Sequence, residues 1–554
     1  MQLDHFSQAE WLMFLGVALV TLLALRLVLT PDRSGQRSRF QQWIIRLHPV
    51  VIVATALALL IPTQPLSAFF ACFWLIQSLC ISFVGLQRML TRPVLTLEEL
   101  CIDAGFVYTA ISGIWFVAYC AEIRLLSFNS SFVLLTAIHF VYISLGALIT
   151  AGMVGRRLYN TPRWKTYQRI ARVVIIAPLF VAVGITFTQV TGIIFIESLS
   201  VLVLASSFVL LALLITSTAP QNTLSRWFLI FATVSLLLTM GFALAYTIGR
   251  LSNLWMLSLE TMIQWHGWLN ALGFVGLSLV AWRLDTPPSH TSPSGIPFSK
   301  LPFRWRVGPQ FFNDINAVDL EKPTQPQGIV DRMEDYHRDD FDPAQLTPEI
   351  VAFYERTAHH HLLVYPQWQR GFHRLGQFYK QMSKRVGQMN FPLEADDAEK
   401  DITSQIIPLK DALDGRSHVR GWVRTYTQTQ QAVYVAAYST HTYGAHTYMN
   451  IAFPLPFGNL TSILRLDALQ DAQNGLALSS FSTREGDQGV YFANRLCPVR
   501  LPINEIIDVY PSGVIPEDYP ADFAHGTISA RHRMWLFGRH FLTLYYSISP
   551  LNKP

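Results

Sequence analysis

Hydrophobic positions in the first half of the chain run on without alternation, and in the second half they alternate with polar ones. Crossing a hydrocarbon core of about 30 Å takes roughly 20 apolar residues at 1.5 Å each. Nine runs meet that length: Trp11 to Leu29, Ile44 to Ile61, Leu66 to Leu86, Leu100 to Tyr119, Ser131 to Ala151, Ala171 to Val190, Ile193 to Ile215, Trp227 to Ile248 and Leu254 to Trp282. The sixth and seventh are divided by a short Gln-Val-Thr-Gly turn, which leaves a count of eight open.

After Leu284 the pattern breaks. Residues 285–309 form a Pro- and Ser-rich linker that cannot continue a helix, because proline lacks the donor and clashes with the preceding turn. From 310 to 554 shorter elements follow. Thr347 to Thr357 reads as a helix with Thr347 as its N-cap and Pro348 in its first turn. His359 to Trp368 reads as a strand. From Gln369 to Met389, Phe372, Leu375, Tyr379, Met382, Val386 and Met389 recur at the three- and four-residue steps of one helical face. Beyond Val419 the period falls to two. The predicted fold is a multi-span α-helical membrane bundle of about nine helices (1–284), then a cytosolic α+β domain with a mostly antiparallel sheet.

Composition agrees with this division. Only 14% of the 554 residues are charged and 51% are hydrophobic, with a mean hydropathy of +0.29, which excludes an ordinary soluble enzyme and a disordered chain. The net charge of +5 does not point to nucleic acid, because the basic residues sit in alternate loops between spans. Arg33, Arg37, Arg39 and Arg46 fill the first loop, Arg88 and Arg92 the third, and Arg156, Arg157, Arg163, Lys165, Arg169 and Arg172 the fifth. Lys and Arg collect on the cytoplasmic side. Nine spans then predict an external N-terminus and a cytosolic C-terminal domain. Five cysteines without paired spacing give neither a disulfide framework nor a thiolate metal site.

Ionisable and polar groups inside hydrocarbon are costly and mark either function or helix association. The last span concentrates them in Glu260, Gln264, His266 and Asn270, with Gly267, Ala271 and Gly273 allowing close helix approach. His266 and Asn270 share a face and are candidates for a proton relay or a cofactor contact, or simply for interhelical hydrogen bonds. Glu99 and Asp103, four apart, would repel and so shift one proton affinity, or they answer Arg88 and Arg92. His139 with His266 is a pair that haem ligation would need, but their spacing specifies no such site. No cofactor is therefore expected. The run His359, His360 and His361 has no acid or cysteine beside it, so no metal is expected either. Nucleotide-binding, serine-hydrolase and zinc-protease motifs are absent from the sequence.

The tail's strands are rich in aromatics. Tyr434, Tyr438 and Trp535 are candidates to line a cavity for a lipid or other amphiphile, and a filled core accounts for the same count. The helix from Gln369 to Met389 carries Arg370, His373, Arg374, Lys380, Lys384 and Arg385, which suits an anionic leaflet or ordinary solvent. The expected partners are the lipid bilayer and an amphiphilic small molecule.

The segment Ile263-Gln-Trp-His-Gly-Trp-Leu-Asn-Ala-Leu-Gly-Phe274, with His532-Arg-Met-Trp-Leu-Phe-Gly538 and Phe541-Leu-Thr-Leu544, resembles the YndJ-like family of bacterial membrane proteins. The resemblance implies a bacterial cytoplasmic-membrane protein and carries no activity with it. Two functions follow from the residues: a membrane protein whose cytosolic domain binds an amphiphile, or a transporter or membrane enzyme working through Glu260, His266 and Asn270.

Overall fold

The structure is a computed structural model that describes residues 7–30, 37–252, 257–291, 295–322, 325–391, 393, 401–494, 497–523 and 525–551. Arg33 and the predicted ninth-span start at Leu254 lie outside the described residues. The chain divides into two compact units, Met1–Met89 with Leu95–Gly295, and Leu90–Val94 with Ile296–Pro554.

Among the described residues of the first unit, nine helices are long and apolar enough to cross a membrane. They are α1 (Gln8–Val28), α2 (Arg39–Leu60), α3 (Gln64–Thr91), α4 (Leu97–Cys120), α5 (Ser130–Leu158), α6 (Trp164–Thr191), α7 (Ile194–Ile215), α8 (Thr223–Ser252) and α9 (Leu259–Leu284). The count is nine rather than eight because α6 ends at Gly192, whose φ of 75° makes a left-handed cap and whose N–H bonds Thr188 O at 2.8 Å. α9 widens into π-helical turns at Met262–Gly267 and Leu269–Gly276, a local loosening often found at functional sites. Gly273 is required there, since a Cβ would lie 2.5 Å from Ser235 Oγ on α8.

The second unit contains the predicted helices, now α10 (Pro348–Glu355) and α11 (His373–Val386), and twelve strands. These are β1 (His360–Trp368), β2 (Asp401–Pro408), β3 (Arg420–Tyr426), β4 (Ala432–Tyr443), β5 (His446–Leu455), β6 (Gly458–Ala468), β7 (Leu476–Ser479), β8 (Gly489–Ala493), β9 (Pro498–Arg500), β10 (Ile503–Tyr510), β11 (Ile528–Leu536) and β12 (Arg539–Pro550). All pairings between these strands are antiparallel.

The order β5-β4-β3-β2-β1-β12-β11-β10-β7-β6 closes on itself through β5–β6, and β8 and β9 extend from the free part of β6. The sheet is therefore a barrel, which removes its edges and encloses one face. Closure depends on long-range pairs such as His360 with Pro550.

The stretch 285–309 is shared between the two units. Asp285 pairs with Arg157 at 2.6 Å and Ser289 donates to Glu99 at 2.9 Å, both within the first unit. In the second unit Phe298 packs on Tyr491, Ser299 donates to Asp414, and Leu301 and Val307 join a core with Phe311, Phe312, Val423, Val435 and Ala437. This cover on the outer face explains why β4 is buried almost continuously from Ala432 to Ser439 rather than alternately.

Candidate functional site

The barrel encloses a cavity of about 1000 Å³. Strand periodicity builds it, because every second side chain points inward. Trp422 and Arg424 come from β3, Tyr434 and Tyr438 from β4, Met449, Ile451 and Phe453 from β5, and Ala530, His532 and Met534 from β11. α11 contributes Leu375, Tyr379, Met382 and Val386 from the face that the sequence predicts, together with Phe378. Leu375, Phe378 and Met382 remain largely exposed, as do Trp305 and Phe457, which also belong to the lining. α11 is less basic on its outer side than its composition suggests, because Lys380 is buried and donates to Phe391 O at 3.0 Å.

Tyr434 and Tyr438 thus face the cavity. Trp535 does not belong to its lining: Ala530, His532, Met534 and Leu536 line it, and Trp535 packs instead on Phe481 and His540, with ring centroids 5.2 and 5.3 Å away. Counting aromatics without sorting strand parity groups residues from both faces.

Inside this apolar chamber lie a few polar groups that the sequence reading missed. Glu505 accepts from His532 Nε2 at 2.7 Å and from the Ser462 hydroxyl. Burial pushes the Glu505 carboxyl up, but the hydrogen bond and charge of His532, with the Ser462 bond, outweigh it and hold the group below the usual carboxylate range. The carboxylate sits between hydroxyl and imidazole, so the imidazole is not placed to take the serine proton as in a nucleophilic triad.

Arg424 is 7% exposed, with its guanidinium 4.2 Å from the Trp422 ring centre and 4.0 Å from that of Tyr434. Burial raises the pKa of Tyr434 well above that of a free phenol, so its hydroxyl stays protonated. A readable signal existed for Arg424: Arg420, Trp422, Arg424 and Tyr426 alternate on one face of an otherwise apolar strand.

The polar residues of the spans form two separate groups. His266 Nδ1 donates to Thr239 O at 2.9 Å, Asn270 Nδ2 lies 3.3 Å from His266 Nε2, and Thr239 Oγ1 donates to Asn270 Oδ1 at 3.2 Å. The His139 ring lies 6.4 Å from that of His266, and its Nδ1 donates to Leu135 O at 2.7 Å. Glu260 is not with them. It is exposed in the first turn of α9 and lines a separate pocket of about 430 Å³ with Ser7, Tyr119 and Ser130, and Gln264 is exposed as well.

The second group is ionic. Arg88 bonds Asp103 at 2.8 Å and Glu99 at 3.1 Å, while Arg156 grips Glu99 at 2.6 and 2.9 Å. Two arginines therefore offset the repulsion between the carboxylates. In the tail, His360 donates to Arg356 O and His361 pairs with Asp401, so the histidine run is split between partners. Among the described residues no group of three or more His, Cys, Asp or Glu could hold a metal ion.

Comparison with known proteins adds a likeness and no chemistry. A family model described as YndJ-like protein matches residues 11–274. Over 528 residues, 95% of this chain and 90% of the relative, the sequence is 29% identical to a Bacillus subtilis (strain 168) protein named "Uncharacterized membrane protein YndJ". No solved structure matches.

Proposed function

We propose that this chain, a YndJ-like membrane protein by its family match, binds a lipid or other amphiphile in its C-terminal barrel. The observation that carries the reading is the cavity of about 1000 Å³, at the upper end of the usual ligand-pocket range and lined almost wholly by apolar and aromatic side chains. A few polar groups inside such a wall orient a ligand with one polar end. The exposed apolar residues Trp305, Leu375, Phe378, Met382 and Phe457, which also line it, provide an entrance compatible with acyl chains. The basic residues of the first, third and fifth loops, which share one side of the membrane, support an external N-terminus, with the barrel in the cytosol of a bacterium.

The alternative of a transporter or membrane enzyme has less support. Glu260 is apart from His266 and Asn270, and the latter two are engaged with Thr239 in hydrogen bonds between helices.

The test uses the full chain in lipid nanodiscs with a diazirine-bearing palmityl alcohol, illuminated and digested. Label on peptides from β4, β5 and β11 is expected. Ala530→Trp, which fills the cavity, removes that label and preserves label on the spans. Label confined to the spans in the wild-type protein refutes the reading.

A further inference from the structure

We infer that the amphiphile is anionic and that Arg424 binds its headgroup, an inference that rests on the lipid-binding reading of the same cavity. Arg424 is 7% exposed and lines the chamber, yet among the described residues it forms no ion pair and its Nε has no hydrogen-bond partner. A buried guanidinium is costly unless a counter-charge meets it. The flanking Trp422 and Tyr434 rings, with the Tyr546 hydroxyl as a neutral hydrogen-bond partner, offset only part of that cost. Beside it Trp422, 5% exposed and also in the lining, leaves its own indole N–H without a partner. Two buried donors without acceptors, side by side on one wall, describe a site for an oxyanion.

The carboxylate inside the chamber does not fill that role. Glu505 is on β10 and Arg424 on β3, which stand five strands apart in the closed order β5-β4-β3-β2-β1-β12-β11-β10-β7-β6 and hence on opposite walls. Glu505 is already engaged by His532 on the neighbouring β11 and by Ser462 on β6. The positive charge of Arg424 is left for the ligand.

Arginine's planar fork matches either a carboxylate or a phosphate, so the shared chemistry is an anionic headgroup on an apolar tail. Taking a methylene as about the volume of a water, about 30 Å³, the chamber of about 1000 Å³ holds roughly thirty such groups. That is enough for one long chain or two.

The test extends the labelling of the full chain in phosphatidylcholine nanodiscs to four diazirine probes: palmitic acid, phosphatidic acid, palmityl alcohol and diacylglycerol. Barrel peptides are expected to take at least tenfold more label from an anionic probe than from its neutral counterpart. Which anion gains more identifies a fatty carboxylate or a phospholipid as the source. Arg424→Gln is expected to bring the ratio near one without reducing the neutral label, and Arg424→Lys to keep part of the preference. Should Arg424→Gln lose the neutral label too, wild-type protein decides through competition: unlabelled palmitate displacing the acid probe where palmityl alcohol does not supports the inference.

Equal labelling by charged and neutral probes overturns this inference alone, as does a charge preference unchanged in Arg424→Gln. Absence of barrel label from every probe overturns the lipid-binding reading and this inference with it.

Discussion

Arg416 to alanine is expected to destabilise the barrel by about 3–5 kcal/mol, the cost of leaving a buried charge without its partner. The side chains of Arg416 and Asp414 are 1% and 0% exposed. The guanidinium bonds both Asp414 oxygens at 2.6 and 3.0 Å, Asn450 O and Oδ1 at 2.8 and 2.7 Å, and Ala437 O at 3.1 Å. It thereby fastens the turn after β2 to β4 and β5. Truncation leaves Asp414 with the Ser299 hydroxyl at 2.6 Å and two strand carbonyls short of a donor.

At about 1.4 kcal/mol per factor of ten, the predicted loss raises the opening constant of β4 and β5 by two to four orders of magnitude, roughly. Hydrogen exchange of those strands in the full chain, followed by mass spectrometry through a urea series, measures it. Asp414→Asn with Arg416→Met removes both charges and is expected to cost markedly less than Arg416→Ala. A single variant that shifts exchange less than tenfold, or a double variant at least as damaging, refutes the assignment of this pair as a buried node.

Two further predictions concern charge at other depths. Glu99→Gln weakens the grip of Arg88 and Arg156 on a carboxylate that is 1% exposed, so the bundle is expected to lose about 3 kcal/mol. A detergent-unfolding midpoint equal to wild type would contradict it. Glu505 has a folded pKa below its unfolded value of about 4.3, so its contribution to stability is present at neutral pH and is lost as pH falls through the folded value. Urea exchange midpoints at pH 7 and pH 3 are expected to differ more in wild type than in Glu505→Gln, and a wild-type barrel that gains stability in acid would carry the wrong sign.

Much of the architecture is written in local pattern. The nine spans emerge because twenty successive apolar residues are a property of adjacent positions, and the Gly192 cap that separates α6 from α7 is one residue in one turn. The inner face of α11 is legible for the same reason. Predicted boundaries moved by several residues: the fifth span extends to Leu158, since Arg156 is held inside the unit by Glu99. β2 was not anticipated, its apolar residues Ile402, Ile406 and Ile407 being too irregularly spaced to announce a strand.

The candidate site was legible only in part. Tyr434 and Tyr438 were found through their aromatic character, and Trp535 was grouped with them although strand parity sends it to the other face. Glu260 and His266 are near in sequence and on one span, but six residues separate them by about 9 Å along a helix, which puts Glu260 in the first turn. Sequence spacing within a helix gives both face and depth, and the grouping used too little of the second.

By itself, the sequence determined that this protein has a membrane half of eight or nine apolar spans and a period-two tail, because hydrophobic length and alternation act through neighbouring residues. Only the tertiary structure decided that the tail's sheet closes, since closure rests on pairs such as His360 with Pro550 and Leu455 with Gly458 acting together around a ring. Closure in turn makes a chamber of one sheet face and sets Arg424 and Glu505 on opposite walls. An arginine in an alternating strand carries no record of whether a carboxylate will face it; that depends on which strand the fold brings opposite, and here it leaves a buried positive charge beside an apolar space.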